Sequence, residues 1–175
     1  MITLEDGTGK ADANSYVDSA GAFFADYLAG HLYGSALSAA SSDDKERAVR
    51  MATRVLDANV IWNGYRNKST QALEWPRQGI IVDEYVVEST VIPVPIQQAT
   101  VELALALIRR DRTDESYAQP VQKLNLGDGA LQLDLGEGSA SAPVDHFIPE
   151  AVSRLIAKYG RRRGTGGRQR QVLRT

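Results

Sequence analysis

The residues most able to do chemistry begin with Gly7-Thr8-Gly9-Lys10, whose glycines and lysine are the materials of a phosphate-cradling loop. Such a loop needs a glycine five positions before its second glycine and a Ser or Thr directly after the lysine. Those positions hold Leu4 and Ala11, so a turn-rich entry segment is the better reading. The two histidines, His31 and His146, have no second ligand at metal-binding spacing. Asp43 and Asp44 open a predicted helix, where carboxylates offset the positive end of the helix dipole. No serine sits in a nucleophile elbow. The residue pattern therefore predicts no catalytic group, no metal and no cofactor.

Two basic regions remain. In Trp62-Asn63-Gly64-Tyr65-Arg66-Asn67-Lys68 and Trp75-Pro76-Arg77, aromatics alternate with cations as they do on surfaces that stack single-stranded bases. The competing expectation makes Trp62, Trp75, Pro76 and Arg77 structural anchors, since large aromatics bury much area and proline holds its predecessor extended. The second region is the C-terminal run with Arg161, Arg162, Arg163, Arg168, Arg170 and Arg174. Residues 154–175 hold eight Lys and Arg and no acid, whereas residues 1–153 hold 12 against 22 Asp and Glu, a balance of −10. An acidic body with a basic tail points to an anionic partner for the tail, either nucleic acid or the acidic face of a protein.

The elements that must position these groups follow from pattern and punctuation. Asp18 or Ser19 can cap a first helix to about Ala29, with Gly30 as its stop and residues 34–42 as a loop. A second helix starts near Ser42 and carries Ala48, Ala52, Val55 and Leu56 on one face. Residues 59–94 lose periodicity and form a long irregular connection with the strand-like run Ile80-Ile81-Val82. A third helix, from about Ile96 to Arg110, is apolar on two faces and must be central in its domain or also pack on another subunit. Leu124, Leu126, Leu131, Leu133 and Leu135 flank Gly127-Asp128-Gly129 in the alternation of a small β-hairpin, near residues 121–135. Pro149 starts a fourth helix through Tyr159, stopped by Gly160. The expected fold is mainly α, with a body over residues 1–160 and a flexible basic tail over 161–175. The chain has no cysteine, which fits a reducing cytosol. Its opening residues resemble no secretory signal, and no apolar stretch is long enough to span a bilayer.

The segments Glu5-Asp6-Gly7-Thr8-Gly9, Ala13-Asn14-Ser15-Tyr16-Val17, Gln71-Ala72-Leu73-Glu74-Trp75-Pro76-Arg77 and Pro95-Ile96-Gln97-Gln98-Ala99-Thr100 follow one another at a characteristic spacing. Together they resemble a family of phage structural-module proteins labelled DnaT-like single-stranded-DNA-binding, which is similar to the helical head-tail connector (adaptor) proteins of tailed phages. The resemblance covers about residues 1–160; the Arg-Gly-rich tail lies beyond it. It implies a non-enzymatic virion protein of connector-type helical fold, assembled in the host cytoplasm as a closed, commonly twelvefold ring. That ring would sit at the neck beneath the portal, joined to the next neck or tail-completion protein, with DNA passing through its lumen and no membrane contact. The resemblance assigns the six tail arginines to portal docking. It gives the two-faced third helix a place between subunits, since heterologous contacts close into rings. An acidic body would line the lumen without holding phosphate. The family label implies an alternative, a single-stranded-DNA-binding replication accessory protein that would use residues 62–77 and the tail.

Overall fold

The computed structural model describes residues 1–109 and 148–163. Helix α3, Ser42–Asn59, forms where the sequence is most explicit. Ser41 caps it: its Oγ accepts the Asp44 N–H at 3.1 Å and donates to the Asp44 carboxylate at 2.7 Å. Its apolar face buries Ala48, Val49, Ala52, Val55 and Leu56. Thr53, also fully buried on this face, satisfies its hydroxyl on the Val49 carbonyl at 3.1 Å.

Helix α4, Val94–Arg109, is the centre of the body. It packs against α3 and α5 (Glu150–Ile156), and also against α1 (Ala22–Ala29) and the single turn α2 (Ser35–Ser38). Most of both apolar faces is covered within the chain, because Ile96, Ala99 and Leu103 are buried together with Val101, Ala104 and Leu105, while Leu107 and Ile108 near its end stay half-buried. A helix covered by its own chain over most of its apolar surface needs no second subunit to explain its composition.

Short antiparallel strand pairs complete the body: β1 (Val60–Trp62) with β6 (Gly160–Arg162), β2 (Tyr65–Arg66) with β3 (Arg77–Gln78), and β4 (Ile81–Val82) with β5 (Tyr85–Val86). The fold is thus mixed, with five helices and three strand pairs among the described residues, rather than a four-helix domain with one hairpin. Four local expectations are corrected. Helix α1 starts at Ala22 without a side-chain cap, because Asp18 instead accepts the Ala20 N–H in the preceding turn at 3.0 Å. Residues 35–38, expected in a loop, form α2 because Leu37 plugs fully into the core. The stretch 59–94 is not irregular throughout. In it, Asp83 and Glu84, at φ 50° and 71°, make the two-residue turn between β4 and β5. Helix α5 ends at Ile156, with Pro149 at its N-cap rather than its first turn.

Gly160 opens β6 instead of stopping a helix. A Cβ there would lie 2.9 Å from the Ile61 carbonyl oxygen, so glycine permits the close approach of β6 to β1. Arg161 and Arg162 pair with Ile61 and Val60 and belong to the folded body, although a flexible tail was expected to begin there. The predicted hairpin at 121–135, with its tip Gly127, Asp128 and Gly129, lies outside the described residues, as do Arg168, Arg170 and Arg174.

Candidate functional site

The two tryptophans and Arg77 lie at one place, where the 62–77 connection meets α3 and the segment after α5. Trp75 is wholly buried and Trp62 nearly so. Their rings meet edge to face at 5.9 Å, and Tyr159 packs on the other side of Trp75, also at 5.9 Å. Edge-to-face packing of this kind adds about 0.5–1.5 kcal/mol beyond area burial. The Trp75 indole N–H is buried without a hydrogen-bond partner among the described residues, whereas that of Trp62 faces the Asp57 carboxylate and helps to hold its charge. The unpartnered N–H costs about 1–3 kcal/mol, which the burial of the ring must offset.

Arg77, 7% exposed, is spent on backbone. It donates from Nε to the Asn63 carbonyl at 2.7 Å and from Nη2 to the Gly64 carbonyl at 2.8 Å. Its Nη1 donates to the Glu74 carbonyl at 3.1 Å and to the Glu74 carboxylate at 2.6 Å. Pro76 follows Trp75 through a cis bond and is buried. All four residues are buried in the fold. Neither tryptophan leaves a ring face on which a base could stack.

A second hub ties α3 to the same loop. Tyr16 Oη donates to both Asp57 oxygens at 2.7 and 2.9 Å, Glu74 N–H donates to Asp57 at 3.1 Å, and Trp75 N–H donates to Tyr16 Oη at 3.1 Å. Burial pushes the Asp57 carboxyl up to about 6, against the pull of the Tyr16 and Glu74 hydrogen bonds. Burial, reinforced by the neighbouring carboxylate, also raises the Tyr16 phenol.

The glycine loop at 7–10 binds an anion that belongs to the chain itself. The Glu5 carboxylate, 2% exposed, accepts the N–H groups of Gly7, Gly9 and Lys10 at 2.9, 2.8 and 2.8 Å. Lys10 Nζ is taken up by the Leu4 carbonyl and Asp6. With its donors occupied by Glu5, the loop offers nothing to a phosphate. His31 is similarly engaged: its Nε2 lies 3.0 Å from Glu102, and its Nδ1 accepts the Tyr33 N–H at 3.1 Å. Among the described residues no cluster of three His, Asp or Glu could hold a metal ion.

A family model described as "Putative DnaT-like ssDNA binding protein" matches residues 1–174. The chain belongs to this DnaT-like family. No curated protein and no solved structure matches it. In this DnaT-like chain Arg66 and Lys68 of the 62–77 segment are exposed beside Tyr65, while Arg77 is buried; other cations open to solvent lie elsewhere. Arg161 and Arg163 are exposed on and beside β6, while Arg162 is half-buried and donates to the Ile148 carbonyl at 3.2 Å. Arg47, Arg50 and Arg54 line one groove along α3 with Met51, Ala72 and Leu73. Their spacing of three and four residues is the sequence signal of a single helix face, opposite the apolar one. Large apolar side chains are also exposed. Ile81, Tyr85 and Val86 are 68%, 79% and 72% exposed on the β4–β5 hairpin, and Leu32 and Tyr33 are 84% and 60% exposed between α1 and α2.

Proposed function

We propose that this chain is a structural virion subunit, a head-tail connector that assembles as a closed ring beneath the portal of a tailed phage and extends the DNA channel toward the tail. One observation carries the proposal: the tryptophans suited to stacking bases are spent inside the fold, while large apolar side chains stand exposed on two separate elements. Exposed apolar patches mark protein contacts. Two different patches are what a heterologous, ring-closing contact uses. The order of the segments that resemble connector proteins agrees. On this reading the partners are the portal, the next neck or tail-completion protein, and further copies of the chain, twelve being the count the connector resemblance implies. DNA passes through the lumen without sequence-specific binding, and no catalysis is involved.

The test is co-assembly with purified portal, read by sedimentation and electron microscopy. The full chain is compared with one ending at Arg163, a truncation that keeps β6 and so preserves the body. Rings that dock on portal only with the tail present are the expected result. Rings that dock equally well without it would move portal recognition to the body, and the absence of any docking would remove the connector role.

The second reading, a single-stranded-DNA-binding replication accessory protein, is favoured by the family description and by the arginines Arg47, Arg50, Arg54, Arg161 and Arg163. It requires oligonucleotide affinity that falls about 10³-fold or more between 50 and 200 mM salt if six or more phosphates are neutralised. The connector reading expects no saturable binding of a thymidine oligonucleotide by residues 1–163 at 150 mM salt, a titration that fluorescence anisotropy resolves.

A further inference from the structure

The outer side of α3 borders two grooves that share Arg47 and Met51. At one end Ala48, Met51, Leu107 and Ile108 form an apolar trough between α3 and the end of α4. Beyond Met51 the trough runs between α3 and residues 13–14 and 72–73, where Arg47, Arg50 and Arg54 line it. Arg47 pairs with Asp44 at 3.2 Å. Among the described residues Arg50 and Arg54 have no acidic partner; Arg54 only donates to the Met51 sulfur. A groove with an apolar floor and unpaired guanidinium groups on its wall fits a polypeptide that carries apolar and acidic side chains together. It fits nucleic acid poorly, because its lining has no aromatic ring for stacking and includes the carboxylates of Asp44 and Asp57.

The chain itself contains a segment of that composition. Residues 124–137 carry Leu124, Leu126, Leu131, Leu133 and Leu135 with Asp128, Asp134 and Glu137, and no Lys or Arg. They belong to residues 110–147, the 38 that connect Arg109 to Ile148. Both stems lie at one end of α4, where Arg109, Pro149 and Val152 line a common groove. Half of 38 residues spans at most about 60 Å at roughly 3.3 Å per residue, so chain length does not confine the segment to its own body.

We propose that residues 124–137 of a second copy dock in the α3 groove, leucines on the floor formed by Met51, Leu107 and Ile108, and acids against Arg50 and Arg54. The contact is heterologous, arm to groove, the type that propagates around a ring. It deepens the connector reading and rests on it for its purpose. Its test reads contact between copies alone, whereas portal co-assembly reads docking, so one can fail without the other.

The absence of cysteine makes the experiment clean. Full-length Met51→Cys and Leu131→Cys variants are mixed, oxidised and run without reductant, beside the double variant. A mixed-chain dimer is the expected product, weakened about tenfold or more by Arg50→Glu with Arg54→Glu and recovered when those are combined with Asp128→Arg and Asp134→Arg on the other chain. An Arg54→Cys probe in place of Met51→Cys guards against loss of packing. Cross-linking only within the double variant would place the segment on its own chain and overturn the proposal. No cross-link from either probe would overturn it as well, as would arginine variants that lose oligonucleotide binding yet keep the cross-link.

Discussion

Replacing Trp75 with alanine is expected to cost about 3–5 kcal/mol of folding free energy, the usual range for removing a fully buried tryptophan. Against a total of about 5–15 kcal/mol for a domain of this size, that change leaves the body marginal or unfolded. The reason lies in what Trp75 joins. Its ring packs on Trp62 and Tyr159, and its backbone N–H donates to Tyr16, so one residue couples the 62–77 connection, the segment after α5 and the N-terminal segment. Urea denaturation followed by tryptophan fluorescence and circular dichroism measures the loss. A cost below about 1 kcal/mol, the scale of an exposed site, would mean that Trp75 is not the anchor described and would reopen its use as a stacking surface. Any loss of oligonucleotide binding in such a variant has to be judged against this loss of fold.

The second large effect is a dependence of stability on pH that arises from Asp57. Its carboxyl titrates near 3.8 when unfolded and is pushed up to about 6 in the folded chain, chiefly by burial. The folded state therefore holds the proton more tightly than the unfolded one. This contribution is fully present below the unfolded value and is lost as pH rises through about 6. The difference between the two values corresponds to about 3 kcal/mol of stability lost between pH 3.5 and pH 7. Asp57→Asn removes the titration, and urea midpoints for the two chains at pH 4.5, 5.5, 6.5 and 7.5 measure it. The native chain should fall relative to the variant across this window. Parallel curves would show that Asp57 remains solvated and ionised throughout.

These two sites differ in how far the sequence disclosed them. The burial of Trp62, Trp75 and Pro76 was legible from size and from the proline. The hub was not, because nothing local marks Asp57 as the partner of Tyr16, 41 positions away. Helices α3 and α4 were legible because a cap or an entering proline and a sustained apolar period act over many residues. The two-residue strands offer no period. The β4–β5 turn uses Asp83 and Glu84 instead of the glycine or asparagine that usually betrays such a turn. Arg161 and Arg162 read as tail because an arginine run looks solvated, and only the register with Val60 and Ile61 makes it a strand. Glu5 resembled any surface acid. Its burial under three backbone N–H groups is a property of the loop's shape, set by Gly7 and Gly9 at φ 97° and 71°.

The pairing of β1 with β6 also sets a timetable for the newborn chain. Val60 waits for Arg162, which is translated 102 positions later. At about 5–20 residues per second the delay is roughly 5 to 20 s. During that interval the edge of β1 is open, α4 lacks its α5 cover, and Trp75 lacks Tyr159. The chain thus emerges from the ribosome as a half-closed shell whose last contacts form only near the end of synthesis, a window in which chaperone engagement or premature pairing with a sister chain would compete with closure.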